Sequence, residues 1–162
     1  MVTSLSFWLH SWEQECCGPE RRVGHTVEAT LLFEGEVRTT NAPPLFQNER
    51  DGRCVAIGEV VGKVGNFPGY LVRAPEVTFA VLRGNPPAER VACDGMLWEE
   101  RHGPTEWPSE ARNAGRIEDI WYCRIGDDGE PQTSTRIYNT SKRPARDCSW
   151  ALRFVMELET SQ

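Results

Sequence analysis

The chain reads as an all-β protein, a small barrel or sandwich, on three observations. Apolar residues recur at every second position in stretch after stretch. Helical 3.6-residue periodicity is almost absent, and turns rich in Gly and Pro punctuate the chain at short intervals. The 162 residues are taken as one domain, 1–162, with a sub-division near 84–87 into two oligonucleotide-binding-like barrel halves as the variant of that architecture.

The elements follow in order. Leu5, Phe7 and Leu9 share one strand face, which leaves Ser6, Trp8, His10 and Trp12 on the other. From His25 to Phe33 the apolar set is Val27, Ala29, Leu31 and Phe33, with Thr26, Glu28 and Thr30 opposite, the pattern of a half-buried strand. Thr40 to Gly52 reads as a loop, with Pro43-Pro44 and a terminal Asp51-Gly52. Cys54 to Val64 is β-branched but broken by Gly58 and Gly62, which predicts a bulge or sharp bend. Tyr70–Arg73 and Val77–Leu82 are short strands, and Gly84-Asn85-Pro86-Pro87 is a turn.

In the second half, Arg90–Cys93 ends at Asp94-Gly95, a hairpin signal, and Met96–His102 returns. A Pro-rich loop runs from Gly103 to Ala114, with room for one helical turn over Pro108–Asn113. Arg116–Ile125 alternates Ile117, Trp121, Cys123 and Ile125 against Arg116, Glu118 and Arg124, so Trp121 is expected in the core. Asp127-Asp128-Gly129 turns the chain into Thr133–Tyr138, and Asn139–Ser149 is a polar loop. The last strand is the clearest: Trp150, Leu152, Phe154, Met156 and Leu158 hold every even position. Gly58, Gly95 and Gly115 each precede an aliphatic residue by two positions (Val60, Leu97 and Ile117), a weak echo of small Greek-key barrels.

Composition narrows the function classes. Lys and Arg number 18 against 24 Asp and Glu, a net charge of −6. That balance disfavours nucleic acid and anionic membranes as partners, because both need clustered cations. No apolar run is long enough for a membrane helix. Met1 to Trp12 lacks the basic, apolar and small-residue sections of a signal peptide, so a cytoplasmic location is expected. In that setting the six cysteines are not expected to form disulfides, and without a Cys-x-x-Cys pair they encode neither a zinc ribbon nor a redox couple. Cys54, Cys93 and Cys123 lie in apolar strand patterns and are read as small core residues. Phosphate-binding, dinucleotide, zinc-protease, nucleophile-elbow and EF-hand motifs are all absent, so no cofactor is implied and no enzyme class is supported.

Three constellations remain. Trp8, His10, Trp12, Glu15, Cys16, Cys17 and Gly18 place indoles, an imidazole and adjacent thiols on one segment. If that strand face is open, its aromatics suit a protein or base-stacking interface; if a second layer covers it, they are core. Cys16 and Cys17 are weak candidates for a metal or thiol site. The second group, Glu99, Arg101 and His102, could tune a general base or simply protect an edge strand with charge. The third, Arg136, Lys142, Arg143 and Arg146, is a cationic cluster that could meet phosphate or an acidic protein surface, or be a solvated loop.

The string Trp12 to Pro19 (W-E-Q-E-C-C-G-P), followed by Val23-Gly24 and Val27, resembles an uncharacterised family of short actinobacterial proteins that open with W-x-x-E-C-C-G and then V-G-x-x-V. Gly95–His102, Gly115–Ile120 and the closing Trp150–Glu159 are similar to later segments of that family. The Pro-rich Asn41–Gln47 segment departs from it. The resemblance implies no activity, and its bearing is on Cys16 and Cys17. The expected function is therefore a non-enzymatic β-barrel module that binds another protein through the Trp8–Gly18 surface. The alternatives are a single-stranded nucleic-acid or nucleotide binder, and a thiol or zinc site on Cys16 and Cys17.

Overall fold

A computed structural model describes residues 3–11, 14, 20–64, 68–101, 111–141 and 149–159. Ten strands make one sheet: β1 (Ser4–His10), β2 (Thr26–Thr39), β3 (Leu45–Asn48), β4 (Arg53–Lys63), β5 (Tyr70–Ala74), β6 (Val77–Val81), β7 (Arg90–Glu99), β8 (Arg112–Ile125), β9 (Pro131–Ile137) and β10 (Trp150–Leu158). The all-β expectation holds. No helix among the described residues is long and apolar enough to cross a membrane.

The hydrogen bonding closes into a ring. β4, β5, β6, β2 and β7 form one circuit that returns to β4, and β2, β7, β1, β10 and β8 form a second that returns to β2. Both circuits share the antiparallel β2–β7 ladder, and each takes strands from both sides of the Gly84–Pro87 turn. β3 and β9 lie at the two ends of the strand order. Inside, one apolar cluster runs through both circuits, with Leu5, Phe7, Leu9, Leu31, Phe79, Leu97, Ile120, Leu152, Phe154 and Met156 wholly or almost wholly withdrawn from water.

Tertiary pairing overrides several local signals. Asp94-Gly95 is not a turn, because β7 runs straight through it, paired to β2 on one edge and to β4 on the other. Gly95 lies opposite Gly35, and a Cβ on Gly95 would sit 2.0 Å from the Glu34 carbonyl oxygen. The glycine is there for close backbone approach between strands, not for a hairpin. The loop expected over Thr40–Gly52 contains β3, and β8 starts at Arg112 inside the stretch read as loop and helical turn. The break foreseen in β4 is real: its register with β5 shifts between Val60 and Gly62.

The placement of Trp121 in the core is overturned by a bulge. Ile117 pairs with Met156 and Asp119 with Val155, so Glu118 is the extra residue. The alternation changes phase there. Ile117, Ile120 and Tyr122 join the main core, while Trp121, Cys123 and Ile125 go to the opposite face.

Two polar devices tie the structure internally. The buried Asn113 side chain accepts from the Thr78 N–H at 3.0 Å and donates to the carbonyls of Thr78 at 2.8 Å and Ala29 at 3.2 Å. It thereby joins β6 to β2 and β8 where direct pairing is sparse. The second device is the charged cluster around Glu99, described with the site below.

Candidate functional site

The sheet register lines up one row across five strands. Trp98 on β7 pairs with Trp8 on β1, Trp8 with Arg153 on β10, Arg153 with Trp121 on β8, and Trp121 with Arg136 on β9. Side chains opposite one another in a sheet touch, so the row becomes a stack of alternating rings and guanidinium groups. The Trp8 and Trp98 rings lie 6.0 Å apart at 36°. The Arg153 guanidinium carbon is 5.8 Å from the Trp8 ring and 5.5 Å from the Trp121 ring. His10 stacks on Trp98 at 4.1 Å and 9°, and at the far end Arg136 lies 5.7 Å from the exposed Tyr138 ring. Cation–π contacts of this kind contribute about 0.5–2 kcal/mol each, more as water is excluded.

This row forms a small second apolar layer. Trp8, Cys123 and Ala151 are buried in it, with Met96, Trp98, Trp121 and Ile125 packed around them. The expectation that Trp8 presents an open indole is therefore corrected: it is only 4% exposed. The turn after β3 is what covers it. Trp8 Nε1–H donates to the Asp51 carbonyl at 3.1 Å, and Gly52, at φ 94°, packs so tightly that a Cβ would lie 2.2 Å from Nε1. Arg153 donates to the neighbouring Arg50 carbonyl, which fastens the same turn from the other side.

Over the half-buried part of the row the surface opens into a cleft of ≈ 550 Å³. Trp8, Met96, Trp98, Ile125 and Arg153 line its apolar part, and Asp51, Arg53, Asp94 and Glu130 supply the charges. Arg53 is matched by Asp51, whose Oδ1 accepts from the Arg53 N–H at 3.0 Å and whose Oδ2 lies 3.6 Å from Nε. Neither Asp94 nor Glu130 forms an ion pair among the described residues. Sequence reading found Trp8 and His10 but not Met96, Trp98 and Arg153 as their neighbours, because only the register reveals the row.

The other sequence candidates fall in two groups, those outside the described residues and those within them. Trp12, Glu15, Cys16, Cys17, Gly18, His102, Lys142, Arg143 and Arg146 lie outside the described residues. Glu99 does not lie on a strand edge. β7 is paired on both sides there, and Glu99 points inward, 4% exposed. Its oxygens accept from Arg21 Nη1 at 2.5 Å and Nη2 at 2.7 Å, and Arg101 Nε stands 3.7 Å away. Arg21 also lies 5.2 Å from the ring of the core residue Phe154, so a charged, hydrogen-bonded cluster packs against the main core. Arg136 spends its charge on Asp119 at 2.5 Å.

The three described cysteines are not activated thiols. Cys54 and Cys93 are buried, and burial pushes both thiols up to about 12, with each other's proximity adding to the rise at Cys54. Burial also raises Cys123, against a hydrogen bond with Ser134 Oγ at 3.2 Å. Such thiols are poor nucleophiles and poor metal ligands near neutral pH. Among the described residues no group of three or more His, Cys, Asp or Glu is placed to hold a metal ion. Comparison of the chain with protein-family models, curated proteins and solved structures finds no match.

Proposed function

We propose that this chain is a non-catalytic binding module that engages another protein through the cleft over the Trp98–Trp8–Arg153 row. The observation that supports this most is the cleft's composition: half-buried indole and Met at the floor and charges at the rim. Aromatic residues, Met and Arg at the centre with a polar margin are the make-up of protein–protein hot spots. Backbone carbonyls of the turn after β3 accept from Trp8 and Arg153 and fix both side chains, so little of their conformational entropy is lost on binding.

The test is a photo-crosslinking residue placed at Met96, compared with the same residue at Tyr138, in cells that make the chain. A discrete protein adduct from position 96, weakened by Trp98→Ala, is the expected result. No protein adduct from position 96 above that from position 138 overturns the reading.

A nucleotide or single-stranded nucleic acid is the second reading, favoured by the stacked indoles. Asp51, Asp94 and Glu130 oppose a phosphate in the same cleft, and binding that ignores salt concentration counts against it. A thiol or zinc site on Cys16 and Cys17 is a separate proposal, answered by metal analysis of protein purified under reducing conditions.

A further inference from the structure

The geometry points to a basic partner segment, one that inserts an Arg or Lys side chain into the cleft. This inference rests on the reading of that cleft as a protein-binding site and names the chemistry of its occupant. Three features converge on a cation. Trp98 is half-buried at the cleft floor, and the part of its indole not covered by His10 is an electron-rich surface to which a guanidinium or ammonium is attracted. Met96 and Ile125 supply apolar wall for the long aliphatic stem that such side chains carry behind the charge. Asp94 and Glu130 are exposed at the rim, with no ion-pair partner among the described residues.

The cleft's own two arginines do not cancel this arrangement. Arg53 is matched by Asp51, and Arg153 is held between two rings with a backbone acceptor. That internal contact is also the structural precedent, since this sheet face already holds a guanidinium against indole. The turn from β8 to β9 adds Asp127 and Asp128 beside Glu130, and the whole chain carries a net −6. A basic partner is therefore steered toward this face, and the attraction weakens as salt is added.

The experiment follows the indole N–H signals of the ¹⁵N-labelled chain by NMR. The probes are an arginine-containing peptide and the same peptide with neutral citrulline at each arginine. The arginine peptide should shift the Trp8 and Trp98 indole signals saturably, and the citrulline peptide should bind at least tenfold more weakly. Asp94→Asn combined with Glu130→Gln should reduce the affinity for the arginine peptide at least tenfold with no change in melting temperature. Equal binding of both peptides at these indoles overturns the cationic occupant but leaves a binding cleft standing. Failure of the arginine peptide to move the two signals overturns the inference, and the crosslinking result then decides the broader reading independently.

Discussion

Replacing Glu99 by Gln keeps the side chain's shape and one carbonyl oxygen but removes its charge. In the folded chain this carboxylate takes both donors of Arg21 at 2.5 and 2.7 Å, with Arg101 3.7 Å away. Arg21 is 7% exposed and the Arg101 side chain 9%, so water cannot replace the lost anion. Breaking a buried ion pair from one side costs about 3–5 kcal/mol, because the partner charge stays desolvated. A domain of this size typically has about 5–15 kcal/mol in total, so a large share is at stake. At about 2–4 °C per kcal/mol, the melting temperature should fall by roughly 6–20 °C. Urea unfolding of wild type, Glu99→Gln, Arg21→Met and the double variant gives the cycle directly. A coupling energy of about 2 kcal/mol or more, little changed by salt, is expected. A Glu99→Gln cost under about 1 kcal/mol, or additive single variants, would refute the argument that this cluster stabilises the core it packs against.

Further predictions rest on other residues. Asn113→Leu leaves the Thr78 N–H and carbonyl without their side-chain partner; at about 1–3 kcal/mol per unsatisfied buried group it should cost roughly 2–5 kcal/mol in urea. Glu76 follows Pro75 with φ 67°, a conformation glycine adopts freely. Glu76→Gly should therefore raise stability by about 1 kcal/mol, seen as a higher melting temperature. Cys54 and Cys93 have thiols raised from the ordinary 9.0 to about 12, so the folded state holds protons that the unfolded chain releases. Their contribution is whole below about pH 9 and is lost as pH climbs toward 12. Replacing both by Ala should flatten the fall in urea midpoint between pH 8 and 10.5, and an unchanged slope would remove the thiols as its cause.

Strand content was largely legible in the sequence, since a period of two needs no knowledge of neighbours. Leu5/Phe7/Leu9 and the even positions of Trp150–Leu158 reach the main core as their spacing implies. What failed depends on partners. Asp94-Gly95 carries a hairpin signature, yet two flanking strands hold it extended. Trp121 obeys its local alternation only up to the extra residue Glu118, and a bulge leaves no mark in a one-dimensional pattern. The candidate site was half legible for the same reason. Trp8 and His10 stand out by composition, whereas Trp98, Arg153 and Met96 join them only through register. The Glu99 cluster needed Arg21, 78 positions away in the chain, and no spacing rule connects the two.

The shared β2–β7 ladder gives the molecule a built-in order of assembly. Every strand of the first circuit lies between Thr26 and Glu99, whereas the second waits for β8 and for β10 at Trp150–Leu158. As the chain leaves the ribosome, the earlier circuit has all its pairing partners while the later one still lacks two strands. In that interval the outward edges that will receive β8 and β10 are bare, an opening for aggregation that a chaperone or rapid synthesis would have to shorten. Pulse-labelled hydrogen exchange during refolding should find amides of β4–β7 protected before those of β8 and β10. Simultaneous protection would mean that the two circuits close in a single step.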